Sequence, residues 1–401
     1  MGTSREGFRV RGALAAAMVA IVGVAAVGCA SSESSDTAGT TTTSALRSET
    51  TSPSSSSVAA TPVAACGDEQ LDKMTLRQKL AQMLVVGVTG AADAQSIVAS
   101  EQIGGIFVGS WTDKSILTSG AAARISRNSP IPLMVTVDQE GGRVSRLSEL
   151  GIDSPSPRVL AQTKTPEQVR GVAASIGRQL RDLGITVDFA PSIDVSDESD
   201  DEVIGDRSFS NDPQVVTEYG GAFAAGLSDA GVTPVYKHFP GHGHGSGDSH
   251  LGVVVTPPLS SLQNSDLVPF RNLLQNPGDA AAMVGHLIVP GLTGPETPAS
   301  ISPRAIGMLR AGRGYNGPPF DGVVFTDDLS GMAAISARYP IEKAVPMAIR
   351  AGADVALWLA TDRVPSVLDA LETEVAQHRL SVDRVDRSVV RILRSKGVLH
   401  C

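Results

Sequence analysis

The strongest constraint on this chain is an alternation: short apolar, strand-like runs are separated by longer stretches with helical periodicity. Eight such runs occur, at Met83 to Val88, Gly105 to Gly109, Leu133 to Val137, Thr186 to Ile193, Thr233 to His238, Ala281 to Ile288, Gly322 to Thr326 and Asp354 to Leu359. Between the fourth run and its predecessor, Val169, Val172, Ile176, Leu180 and Leu183 recur three or four apart, with Thr165 placed to cap the helix and Gly184 to stop it. Asp212-Pro213 opens another helix that Gly231 closes. Eight strands alternating with helices over roughly 330 residues predict an α/β fold, a single (β/α)8 TIM-type barrel. A doubly wound open sheet is the alternative.

The polar residues favour the barrel. Asp138 follows the third predicted strand, Asp194 the fourth, Lys237 and His238 lie at the fifth, His286 within the sixth, and Asp327 follows the seventh. Barrel active sites lie at the C-terminal ends of the strands, so these side chains are expected on one rim. The plainer alternative is that strands merely end in polar residues where they meet solvent.

The N-terminus reads as an address. Arg5, Arg9 and Arg11 precede an uncharged run from Gly12 to Ala30, the order of an export signal. That run includes Ala26-Val27-Gly28-Cys29, which resembles a bacterial lipobox. The expectation is a signal peptide over 1–28 and a lipid on Cys29 holding the protein at the outer face of the plasma membrane. An uncleaved membrane helix is the alternative, and the many Ala and Gly residues weigh against it. From Ser31 to about Pro62 the sequence is dominated by Ser, Thr, Ala and Pro, so 29–65 is expected to be a flexible tether ahead of a domain over 66–401. Cys66 and Cys401 flank that domain, and in an exported protein they are the candidates for a disulfide.

A formal charge of -9 with no sustained Lys/Arg cluster removes the footprint that a nucleic-acid binder needs. Aromatic residues are 4% of the chain, too few to pave a long sugar groove, which favours a short pocket and exo action.

Chemistry concentrates in Lys237-His-Phe-Pro-Gly-His-Gly-His-Gly-Ser-Gly-Asp-Ser-His250, where four His and one Asp are interleaved with four Gly. No established zinc spacing such as H-E-x-x-H is present, so neither metal nor cofactor is expected. This stretch resembles the K-H-F-P-G-H-G loop, ending in D-S-H, of glycoside hydrolase family 3 β-N-acetylhexosaminidases of bacteria. Further likenesses are Val137-Asp138-Gln-Glu-Gly-Gly-Arg143-Val144 through Arg146, Asp188-Phe-Ala-Pro-Ser-Ile-Asp194-Val, Asp206-Arg207-Ser-Phe and Phe325-Thr-Asp327-Asp328-Leu. The resemblance spans roughly Leu71 to Arg394.

The resemblance implies a retaining exo-β-N-acetylglucosaminidase acting on an amino-sugar glycoside such as a peptidoglycan fragment. Asp327 would be the nucleophile and His250, oriented by Asp248, the general acid and base. Asp138, Arg146, Arg207, Lys237 and His238 would surround the terminal sugar. A histidine titrates near working pH, which suits a group that must donate a proton and then take one back. A phosphorylase using the same intermediate, another family 3 β-glycosidase and a catalytically idle wall-binding lipoprotein are the alternatives. Two departures stand out. Ala311 to Pro319 is an expanded turn, implying a different outer rim, and His244-Gly245 occupies variable loop positions that bear on loop mobility and pH response.

Overall fold

A computed structural model of the chain describes residues 66–401. Cys29, the 1–28 leader and the 29–65 tether lie outside the described residues.

Eight parallel strands close into a barrel. They are β1 (Leu84–Gly87), β2 (Gly105–Val108), β3 (Met134–Val137), β4 (Val187–Asp188), β5 (Thr233–Phe239), β6 (Ala281–Val284), β7 (Val324–Asp328) and β8 (Val355–Trp358), and β1 pairs with both β2 and β8. Each falls on a predicted apolar run, with shifted ends. The predicted fourth strand shortens to Val187–Asp188, with an isolated parallel bridge from Ser192 to Lys237 beyond it. The predicted sixth stops at Val284; beyond Gly285 and His286, Leu287–Ile288 pairs instead with Val254–Val255. The predicted seventh runs on through Asp328.

The helices form the outer layer as their sequences direct. Pro166–Asp182 starts with a capping box in which Thr165 accepts from the Gln168 N–H and the Gln168 side chain accepts from the Thr165 N–H. Gly184 then leaves the helix at φ 82. Pro213–Asp229 is capped by Asp212 and followed by Gly231 at φ 72. These two helices pack closely because Gly226 presents no side chain: a Cβ there would sit 2.3 Å from the Arg170 carbonyl oxygen.

Two irregularities in the barrel carry the site. Between Tyr236 and Phe239, β5 advances three residues while β6 advances two, from Ala282 to Val284. Between Phe325 and Asp328, β7 likewise advances three against two on β8. An extra residue of this kind bends the strand and re-aims its side chains. The first irregularity contains Lys237 and His238, the second Asp327.

Candidate active site

At the C-terminal rim a cavity of about 630 Å³ is lined by Asp138, Arg146, Arg207, Lys237, His238, Asp248, His250 and Asp327, all the residues singled out in the sequence for catalysis or sugar contact. Parallel strands explain the convergence, since every strand end points to the same face.

One wall is a buried charge cluster. Lys237 Nζ donates to Asp138 Oδ1 at 2.7 Å and lies 2.6 Å from Glu140 Oε1. Arg207 meets the same Glu140 through two bonds of 2.8 Å each. Such fork-to-carboxylate pairing fixes direction as well as distance. Burial alone would push the Glu140 carboxyl up, but Arg207 and Lys237 hold it well below its usual range. Burial likewise disfavours the Lys237 charge, and Asp138 and Glu140 overcome it, raising its pKa. Both cations are thus held charged beside a space where hydroxyl and amide groups can be read. Glu140 was not singled out from the sequence, although it sits in the Gln139-Glu140-Gly141 stretch; its signal was a charge inside a segment that proves fully buried.

Asp327 lies within the second irregularity. Its Oδ1 accepts the Asp328 N–H at 2.9 Å, and its Oδ2 lies 4.0 Å from His238 Nε2. Burial raises its pKa, but His238, His286 and Lys237 outweigh that and keep the carboxylate ionised. Asp328 does different work. Its side chain accepts from the Ser330 N–H and hydroxyl and from the Gly331 N–H, building the turn after β7. Behind it, His286 Nε2–H donates to the Asp328 carbonyl at 2.7 Å, so its Nδ1 accepts from the Ser300 hydroxyl.

His250 and Asp248 lie opposite on the Gly-rich loop. Asp248 Oδ1 accepts from both the His250 backbone N–H and Nδ1, each at 2.8 Å. With Nδ1 engaged, Nε2 is the ring nitrogen left to exchange a proton. The imidazole is 58% exposed and lines the cavity. The loop tip is tied to the segment after β7: the Ser249 carbonyl accepts from Ala334 N–H at 3.0 Å and the His250 carbonyl from Ala333 N–H at 3.4 Å. The His250–Asp248 pair and the Asp327 carboxylate therefore share one local scaffold.

The rim arginines divide. Arg143 is bound to Asp206 and to carbonyls of the 201–204 loop, which makes it a brace for the segment carrying Arg207. Arg146 lines the cavity with no acidic partner among the described residues. None of the residues of the turn at 311–319 lines the cavity, and Tyr315 is buried against Phe239 with ring centroids 5.9 Å apart. No helix among the described residues is long and apolar enough to cross a membrane.

Comparison with known proteins agrees with this geometry. Residues 75–395 match the model of the glycosyl hydrolase family 3 N terminal domain. The chain is 58% identical over 322 residues to beta-hexosaminidase LpqI of Mycobacterium tuberculosis, covering 80% of this chain and 82% of that protein. It resembles the crystal structure of a family 3 glycosyl hydrolase from Mycobacterium smegmatis with a TM-score of 0.80 and 56% identity, over 82% of this chain and 99% of that one. A family 3 β-N-acetylglucosaminidase from a Paenibacillus strain matches with a TM-score of 0.74 and 33% identity, over 81% of this chain and 63% of that one.

Proposed function

The chain belongs to glycosyl hydrolase family 3, and from that premise we infer that it is a β-hexosaminidase that removes terminal β-linked N-acetylglucosamine. The observation that carries the reading is one cavity lined by an ionised carboxylate, Asp327, and by a histidine, His250, whose Nδ1 is held by Asp248. Asp327 attacks the anomeric carbon and forms a glycosyl-enzyme, while protonated His250 Nε2 gives its proton to the leaving oxygen. Water then enters, His250 takes its proton, and the sugar leaves with retained configuration. A retaining glycosidase ordinarily uses two carboxylates. Here the imidazole serves as acid and base, with Nδ1 held by Asp248 and Nε2 left to exchange the proton. Asp138, Lys237, His238, Arg207 and Arg146 hold the terminal sugar, and a site built from such groups rejects a sugar that leaves them unpaired.

The chain has few aromatic residues with which to pave a long groove, which supports exo action on small glycans. Peptidoglycan fragments are the proposed substrates, presented at the outer face of the plasma membrane where a lipid on Cys29 would hold the enzyme. The test is to incubate the full-length chain with a chromogenic β-N-acetylglucosaminide and with the matching β-glucoside, each with and without phosphate. The N-acetylglucosaminide should be cleaved preferentially, at a phosphate-independent rate, with the β-anomer formed first by NMR. Turnover that requires phosphate would instead identify a phosphorylase, and preference for the β-glucoside would overturn the sugar assignment.

A further inference from the structure

Asp194 takes no part in the chemistry above, yet it is fully buried at the end of the β4 segment and collects four donors. His238 Nδ1 lies 2.6 Å from its Oδ2, and the Ser192 hydroxyl donates to the same oxygen at 3.0 Å. Its Oδ1 accepts the His238 N–H at 3.2 Å and the His242 N–H at 2.7 Å. Although burial pushes the Asp194 carboxyl up, His238 and His242 keep it well below its usual range. An ionised carboxylate only accepts, so His238 Nδ1 must carry a proton. That leaves Nε2, which lies 4.0 Å from Asp327 Oδ2, facing the reacting end of the cavity.

We propose that Asp194 is a positioning residue: it sets which nitrogen of His238 faces the sugar and ties the stem of the acid–base loop, at His242, to the same carboxylate. The argument rests on the reading of the cavity as a glycosidase site. With Nδ1–H committed to Asp194, Nε2 is the ring nitrogen left to meet a sugar hydroxyl. The arrangement parallels the buried carboxylate that selects a tautomer in a hydrolytic triad, although here the histidine reads the substrate instead of activating a nucleophile. The loop stem leaves little freedom around this carboxylate, since a Cβ on Gly243 would sit 1.9 Å from the Val195 carbonyl oxygen.

Asp194→Asn separates the two roles, because an amide oxygen can still accept the His238 and His242 N–H groups while its NH2 disfavours a proton on Nδ1. On a chromogenic β-N-acetylglucosaminide, His238→Ala should lower kcat/KM by roughly 10- to 100-fold, the worth of a hydrogen bond in a charged site. Asp194→Asn should fall by a comparable factor, and the double variant should lie within about 3-fold of His238→Ala alone, as residues acting in series do. Losses that multiply in the double variant would overturn the inference while leaving the site reading intact. An unchanged kcat/KM in His238→Ala would overturn the site reading and this inference with it. A measurement on the unsubstituted full-length chain decides the matter even if Asp194→Asn fails to fold. Imidazole 15N shifts, assigned by the signals missing from His238→Ala, should show His238 protonated at Nδ1, and protonation at Nε2 alone would overturn the proposal.

Discussion

Asp327 and Asp328 are adjacent in sequence and opposite in task, which makes them the sharpest test at the scale of single residues. Asp327 projects into the cavity with no turn to hold, whereas Asp328 satisfies the Ser330 and Gly331 N–H groups. Asp327→Ala should therefore reduce kcat by at least about 10³-fold on every substrate, as loss of a nucleophile does. Its thermal midpoint should stay near that of the parent. Asp328→Ala should cost about 1 kcal/mol of stability, because it removes the acceptor for three part-buried donors in the turn after β7, and this appears as a lowered Tm. Near-normal turnover in Asp327→Ala, with loss confined to Asp328→Ala, would move the nucleophile to the other carboxylate. His250→Ala makes a third pattern. Poor leaving groups should slow by roughly 10²- to 10⁴-fold, while an activated aryl group that departs without a proton slows much less. Equal losses on both would refute an acid–base role.

At the scale of elements, the Gly-rich loop is held by a second histidine–carboxylate pair. His244 Nδ1 lies 2.9 Å from Oδ2 of the buried Asp266, just before the helix Leu267–Leu273. That hydrogen bond raises the His244 pKa above 6.5, partial burial opposes it, and the charges of Asp266, Asp197 and Glu198 add to it. A histidine whose folded pKa is raised stabilises the native state fully below its unfolded value and ceases to do so as pH climbs through the folded value. The window thus opens near the ordinary 6.5 and extends upward. Relative to His244→Gln, the parent should lose a few tenths to about 1 kcal/mol as pH rises through that window, read from Tm against pH. A difference independent of pH would show that His244 contributes packing alone.

At the scale of the whole molecule, the ends of the domain are fastened together. Cys66 and Cys401 are disulfide-bonded with their Cα atoms 6.1 Å apart and a sequence separation of 335. Closing so long a loop restricts the unfolded chain, and the entropy model sets an upper bound of about 5 to 6 kcal/mol. Cys66→Ser should lower Tm, and reducing agent should lower the parent to the same value; two free thiols in the unreduced parent at these positions would exclude the bond. The proposed anchor is tested separately. Cys29→Ala should release the protein from membranes or leave it as an unprocessed precursor without lipid, whereas lipid-free, leader-bearing protein that still resists extraction as an integral span would favour an uncleaved membrane helix.

Local patterns in the sequence already carried the barrel. Thr165 and Gly184 bound their helix, apolar runs mark all eight strands, and polar residues placed just beyond strand ends converge because parallel strands share one rim. These are short-range signals, legible because capping, side-chain periodicity and strand length depend on neighbours within a few residues. The interstrand register is not of that kind. Nothing local to Lys237 or Asp327 states that each lies where its strand gains a residue on its neighbour, since that count exists only once β5 meets β6 and β7 meets β8. The same holds for Glu140, which joins Arg207 to Lys237 across 67 and 97 residues of chain, and for Asp194, which reaches His238 across 44. The residue types and their order came from the sequence, whereas which carboxylate holds which cation or imidazole was decided by tertiary packing, because buried charges must find partners wherever the fold brings them.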